Sequence, residues 1–336
     1  MNSLIPVSSS DNNKVRLIYI LAASHSGSTL LAMLLGAHPD VCTIGEIKAT
    51  YLGAPEQYRC SCRRKIKKCP FWNGISDEMA KRGFSFDITN AGTDIRSGAT
   101  PYILKLLKPL HRGLFMEMLR DLALALSPAW SSRLSRIQKL NEALVESVLQ
   151  YTGEKVIVDS SKIGIRLKYL LRNPNLDVKV IRLIRDGRGV ALTYVDPEQF
   201  ADASDPSLRG GGMGGNREKE RLSMKMAALE WRRSNEEAES ILKSLNASQW
   251  MEVRYESLCL NPGETLKKIF TFIGVDPGAA TTDFRSVEHH VVGNGMRLDS
   301  RGEIRLDERW KTVLNEVELK EFDIVAGGIS RRLGYL

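Results

Sequence analysis

Ser24-His-Ser-Gly-Ser-Thr-Leu-Leu-Ala-Met-Leu-Leu35 follows a short apolar run, Val15-Arg-Leu-Ile-Tyr-Ile-Leu-Ala22. A nearly continuous apolar run of this length suits a strand buried on both faces of a parallel sheet. Leu30 to Leu35 has the Leu/Ala/Met content of a buried helix. Between them lie hydroxyl side chains and Gly27, a small-residue turn whose backbone can face an anion. The first N–H groups of a helix lack intrahelical partners, and its dipole adds positive charge there. Strand, small-residue loop and helix together predict a phosphate-binding unit.

The same pattern returns further along. Lys155-Val-Ile-Val-Asp159 reads as a strand, and Ser160-Ser-Lys162 as the capped start of a helix that stops before Pro174. Val178 to Ile184 is a strand running into Arg185-Asp-Gly-Arg-Gly-Val-Ala-Leu-Thr193. Asp40 to Gly45 and Trp250 to Tyr255 add two more strands. Successive βα units predict an α/β fold with a doubly wound, mostly parallel sheet. Glu46, just after Gly45, falls at the C-terminal edge of that sheet, where open α/β sheets bind ligands.

At 336 residues the chain can bury a sizeable core, with 43% apolar and 26% charged residues. The predicted organisation is a disordered tail over residues 1–13, then a single domain over residues 14–336. Within it, residues 58–150 form a basic, Cys-containing loop and a helical insertion, and residues 205–220 a mobile Gly-rich loop. In the insertion, Tyr102 to Leu126 is Leu-rich with interspersed Lys and Arg, and Ile137, Leu140, Leu144 and Val148 recur at helical spacing. Its apolar stripe is read as core-facing, ahead of a surface that touches membrane or lipid. Asn261-Pro-Gly-Glu264 reads as a capped start of a late helix, and a terminal helix follows Trp310.

A formal charge of +8 favours an anionic ligand without naming it. The basic residues lack the aromatic interleaving of a base-stacking surface, so nucleic acid is not expected. No signal peptide and no run of about 20 apolar residues is present, which makes a soluble, cytoplasmic protein the expectation. Cys60, Cys62 and Cys69 fall within ten residues. They are read as free, structural thiols, ahead of a metal site or a regulatory disulfide. No fourth ligand is evident, and C-x-C is not a standard finger spacing. The loop at Ser24 lacks the Lys and leading Gly of G-x-x-x-x-G-K-[ST], which argues against a kinase, and it has no G-x-G-x-x-G.

His25-Ser-Gly-Ser-Thr-Leu-Leu resembles the 5′-phosphosulfate loop of the PAPS-dependent sulfotransferases, and Arg185 to Thr193 resembles their 3′-phosphate motif. Tyr255-Glu-Ser-Leu258 and Leu333-Gly-Tyr335 look like the family's C-terminal part. The resemblance covers about residues 15–40 and 155–336 and leaves out the helical insertion. It implies a P-loop-like sulfotransferase fold and a sulfuryl transfer from PAPS to an acceptor, with no metal in the chemistry. Ser26, Gly27, Ser28 and Thr29 are then expected at the 5′-phosphate, and Arg185 and Thr193 at the 3′-phosphate, with Arg188 as an addition. Where the family carries Lys or Arg, this chain has His25; His25 and Lys162 are the candidates for the charge that meets the leaving phosphate. Glu46 is the expected general base, ahead of Asp159 and His38. The acceptor class implied is a small molecule, glycan or lipid; the competing readings are an atypical small-molecule or nucleotide kinase and a non-catalytic anion-binding protein. Oligomeric state is not legible.

Overall fold

The computed structural model describes residues 14–48, 52, 54–108, 113–203, 205–213, 218–299 and 302–335. The expected tail over residues 1–13 lies outside them. Five strands form one sheet: β1 (Val15–Ala22), β2 (Val41–Gly45), β3 (Val156–Lys162), β4 (Leu176–Ile184) and β5 (Trp250–Arg254), in the order β2-β3-β1-β4-β5. All neighbours run parallel, with Leu17 of β1 level with both Ile157 and Val178. This is the doubly wound parallel sheet that the apolar runs imply.

Alternation along β1 explains the two layers. Leu17, Tyr19 and Leu21 pack with Trp72, Ile75, Leu144 and Val148 of the insertion. Ile18 and Ile20 point the other way, onto Leu31 and Leu34 of the helix Ser28–Leu35 and onto Leu266, Phe270 and Ile273 of the helix Pro262–Ile273. Each fully buried Leu or Ile contributes about 1.5–3 kcal/mol. A buried charge also joins insertion to sheet. Arg166 donates to Asp159 of β3 at 3.1 Å, to the Thr93 carbonyl at 2.8 Å and to Asn141 Oδ1 at 2.6 Å.

Several expectations are corrected. Strand β3 runs on through Ser160, Ser161 and Lys162, so these residues do not cap a helix; the helix Gly164–Leu170 starts later, without a side-chain cap. The ladder with β1 continues to Lys162, level with Leu21, and Asp159 accepts from the Ser161 N–H at 2.8 Å and from its hydroxyl. Asn261 does not cap the helix it precedes either. The Leu-rich stretch divides into Pro101–Leu106 and Leu114–Ala125, followed by a 25-residue helix, Pro128–Thr152. The helix Leu114–Ala125 does not bury its apolar stripe: Phe115, Met116, Met118, Leu119 and Leu122 are exposed. The Gly-rich stretch turns at Gly210 and Gly211, both at positive φ, and the Gly211 carbonyl accepts from Arg59 N–H at 2.9 Å. Residues 204 and 214–217 of that expected loop lie outside the described residues. No described helix is long and apolar enough to cross a membrane.

Candidate active site

The C-terminal ends of β2, β3, β1 and β4 open into one cleft of about 710 Å³. Ser24, His25, Gly27, Ser28 and Thr29 line it beside Glu46, Lys162, Arg185 and Thr193. Eight of the nine residues expected at the site from sequence therefore reach one cavity. The ninth, Ser26, is buried beneath the loop, and its hydroxyl has no partner among the described residues.

The loop's conformation follows from its small residues. Gly27 sits at φ +88° directly before the helix Ser28–Leu35, and a Cβ there would lie 2.5 Å from the Tyr255 ring. Only glycine meets both constraints. His25 reaches φ +62° and Lys162 φ +70° without that freedom. Backbone strain of this kind costs about 1–3 kcal/mol and clusters at functional sites. The His25 ring meets Tyr194 edge to face at 4.8 Å.

Charges on Glu46, Lys48, Lys162 and Arg185 line the cleft. Glu46 is ion-paired to Lys162 through Oε1 and to Lys48 through Oε2, the latter at 3.3 Å. Burial pushes the Glu46 carboxyl up, but Lys162 and Lys48 together pull it further down, to about 2. Lys48, two residues beyond Glu46, was not anticipated. Arg185 donates to the His25 carbonyl at 2.8 Å, lies 4.6 Å over the Tyr255 ring and pairs with Asp307 at 2.8 Å. Burial raises the Asp307 carboxyl, but Arg309 and Arg185 hold it well below the ordinary range. Asp307 belongs to a segment that carried no sequence signal. Thr193 is buried, with its hydroxyl donating to the Val190 carbonyl at 2.7 Å.

Asp186, Arg188, Asp159 and His38 are each tied into the surrounding fold. Asp186 does not pair with Arg185; it is gripped by Arg188 at 2.7 and 3.0 Å. Arg188 also donates to the Tyr335 carbonyl and covers the Trp310 ring at 4.0 Å, which ties the helix after β4 to the C-terminal part of the chain. Asp159 is fully buried against Arg166 and does not reach the cleft as a base. His38 accepts from Asp40 N–H at Nδ1, which leaves Nε2 to donate to the Asp276 carbonyl at 2.9 Å, a structural role at the helix end.

This parallel sheet, with its glycine-turned loop and helix N-terminus, is the fold of sulfotransferase domains of known structure. Two solved structures share it over nearly the whole chain. The sulfotransferase domain from the Synechococcus PCC 7002 olefin synthase aligns over 97% of this chain and 98% of its own, with a TM-score of 0.50 and 15% identity. The sulfotransferase domain from the curacin biosynthetic pathway aligns over 95% and 99%, with a TM-score of 0.51 and 18% identity. In sequence, mouse carbohydrate sulfotransferase 2 is 24% identical over 185 residues, which are 46% of this chain and 34% of the relative. The human protein of that name matches equally. The chain thus spans about a third of the length of the curated relatives it matches. No family model matches it.

Proposed function

We propose that the chain is a sulfotransferase that moves a sulfuryl group from PAPS to a hydroxyl, and less readily to an amine. One observation carries this reading: the loop Ser24–Thr29 and the Arg185–Thr193 unit, far apart in sequence, line a single cleft. A nucleotide with phosphates on both the 3′ and 5′ positions of its ribose needs two anion sites at such a spacing of strand ends. When bound, PAPS supplies the activated sulfuryl group, and no metal is needed for the chemistry.

The residues present fit that ligand. Backbone N–H groups at Ser28 and Thr29 face the cleft at a helix N-terminus and suit the 5′-phosphate, with the unpartnered Ser26 hydroxyl below. The Arg185 guanidinium offers a fork to the 3′-phosphate, beside the Thr193 hydroxyl. His25 and Lys162 supply positive charge where the leaving phosphate gains negative charge. Glu46 accepts the acceptor's proton. Its pairing with two lysines makes it a weak base in the present state, and loosening of the Lys162 pair raises its proton affinity. A hydroxyl on a glycan, small molecule or lipid is the acceptor class, and the naming of the curated relatives as carbohydrate sulfotransferases favours a glycan as the first to try. None of the five cysteines is in a disulfide, which fits a reducing compartment, and we place the activity in the cytoplasm.

Calorimetric titration with 3′,5′-ADP tests the reading. The wild type should bind, and Arg185→Ala should weaken binding by about 10- to 100-fold, the weight of lost hydrogen bonds to a charged group. A wild type that does not bind, or an Arg185→Ala variant that binds undiminished, overturns it.

A further inference from the structure

The loop after β2 carries Cys60, Cys62 and Cys69, and the fold brings His290 to them from more than 200 residues away. The three Sγ atoms and one ring nitrogen all lie within 4.8 Å of one another. Cys62 and Cys69 sulfurs are 3.7 Å apart, and His290 Nδ1 is 3.7 Å from Cys60 Sγ and 3.5 Å from Cys69 Sγ. A tetrahedron with metal–sulfur bonds of about 2.3 Å and a metal–nitrogen bond of about 2.0–2.1 Å has edges of about 3.8 Å between sulfurs and about 3.5 Å from sulfur to nitrogen. The measured spacings match both edges. A disulfide needs sulfurs about 2.05 Å apart, so the cluster is not arranged as one.

From this geometry we infer that Cys60, Cys62, Cys69 and His290 form a structural zinc site. Three thiolates and an imidazole are the soft donor set that selects zinc over hard cations, and four protein ligands leave no open position for chemistry. The surroundings are built to hold the ligands. Arg63, the third non-glycine residue at positive φ among the described residues, turns the chain back, and Cys60 N–H bonds to the Arg64 carbonyl at 2.9 Å. Backbone N–H groups of Arg64 and Trp72 point at the sulfurs of Cys62 and Cys69. His290 is oriented by stacking on Phe71 at 4.3 Å with an interplanar angle of 6°. Ser61 clasps the same segment, donating to the His289 carbonyl and accepting from Val291 N–H at 2.7 Å.

The consequence is a cross-link between the loop of Cys60, Cys62 and Cys69 and the segment 289–293, whose last residue, Gly293, lines the cleft. Beyond the metal, Tyr58 OH accepts from Gly293 N–H at 2.9 Å, so the loop and the wall are joined twice.

The test is independent of any sulfotransferase activity. Full-length protein expressed with zinc and purified in a phosphine reductant should contain about one zinc per chain by elemental analysis. Cobalt(II) in its place should give thiolate charge-transfer bands and intense tetrahedral d–d bands. Cys62→Ser and His290→Ala should each lose most of the metal, while Cys42→Ser and Cys259→Ser should retain it. Folded wild-type protein with neither zinc nor a tetrahedral cobalt spectrum overturns the proposal, as does a Cys62–Cys69 disulfide found by peptide mapping. A folded His290→Ala variant with full zinc overturns the assignment of the fourth ligand.

Discussion

Arg185, which lines the cleft, forms a 2.8 Å ion pair with Asp307, so the guanidinium proposed to grip a phosphate is already held by a carboxylate. A carboxylate presents two oxygens to the same fork that a phosphate would use, and the two compete. Asp307→Asn should therefore tighten binding of 3′,5′-ADP, by up to about 5-fold for one partly exposed pair. Titration calorimetry at two salt concentrations would check this. Weaker binding by the variant would mean that Asp307 orients Arg185 for the ligand instead of competing with it.

Glu46 makes a pH-dependent contribution with a definite sign. Its folded-state value, about 2, lies below the ordinary 4.5, so its ion pairs stabilise the fold above that ordinary value. The gain, up to about 3 kcal/mol, is lost as pH falls through about 2. Denaturant unfolding of wild type and Glu46→Gln should differ most near neutrality and converge as the pH approaches that lower value. A difference that does not change with pH would show that the pairs with Lys162 and Lys48 are not formed in solution.

Glu237 has the opposite sign. Burial against Gly164, and next the charge of Glu117, push its carboxyl up to about 7. The folded state then holds a proton that the unfolded state releases; the stabilisation is complete below the ordinary value of 4.5 and is lost as pH rises through about 7. Glu237→Gln should leave stability near pH 4 almost unchanged and raise it near pH 8 by up to about 3 kcal/mol. Melting curves at the two pH values would decide. Equal effects at both would place the charged form of Glu237 in water.

Legibility followed sequence distance. The loop at Ser24, the strands β1 and β4 and the placement of Arg185 and Thr193 are local patterns: an apolar run, a glycine turn and a helix start. The cleft collects them because parallel strands deliver their C-terminal ends to one edge. Local pattern failed at Ser160 and Ser161, whose hydroxyls look like a helix cap but lie inside β3, where the ladder with β1 runs on to Lys162. It failed again at the helix Leu114–Ala125, whose apolar stripe has helical spacing but faces outward. Periodicity gives an amphipathic helix without saying what covers it. Asp307 and His290 could not be seen at all, since each acquires its role from residues more than 100 positions away.

Strand β2 stands at one end of the sheet, and the C-terminal end of its outer edge is covered. Val292 N–H donates to the Ile44 carbonyl at 3.1 Å, and Glu46 N–H donates to the Val292 carbonyl at 3.3 Å. A bare rim would invite a strand from another molecule, the usual beginning of domain exchange and of fibrous aggregation. The segment around Val292 thus acts as a selvedge on this corner of the sheet, and anything that loosens it exposes an adhesive border beside the cleft.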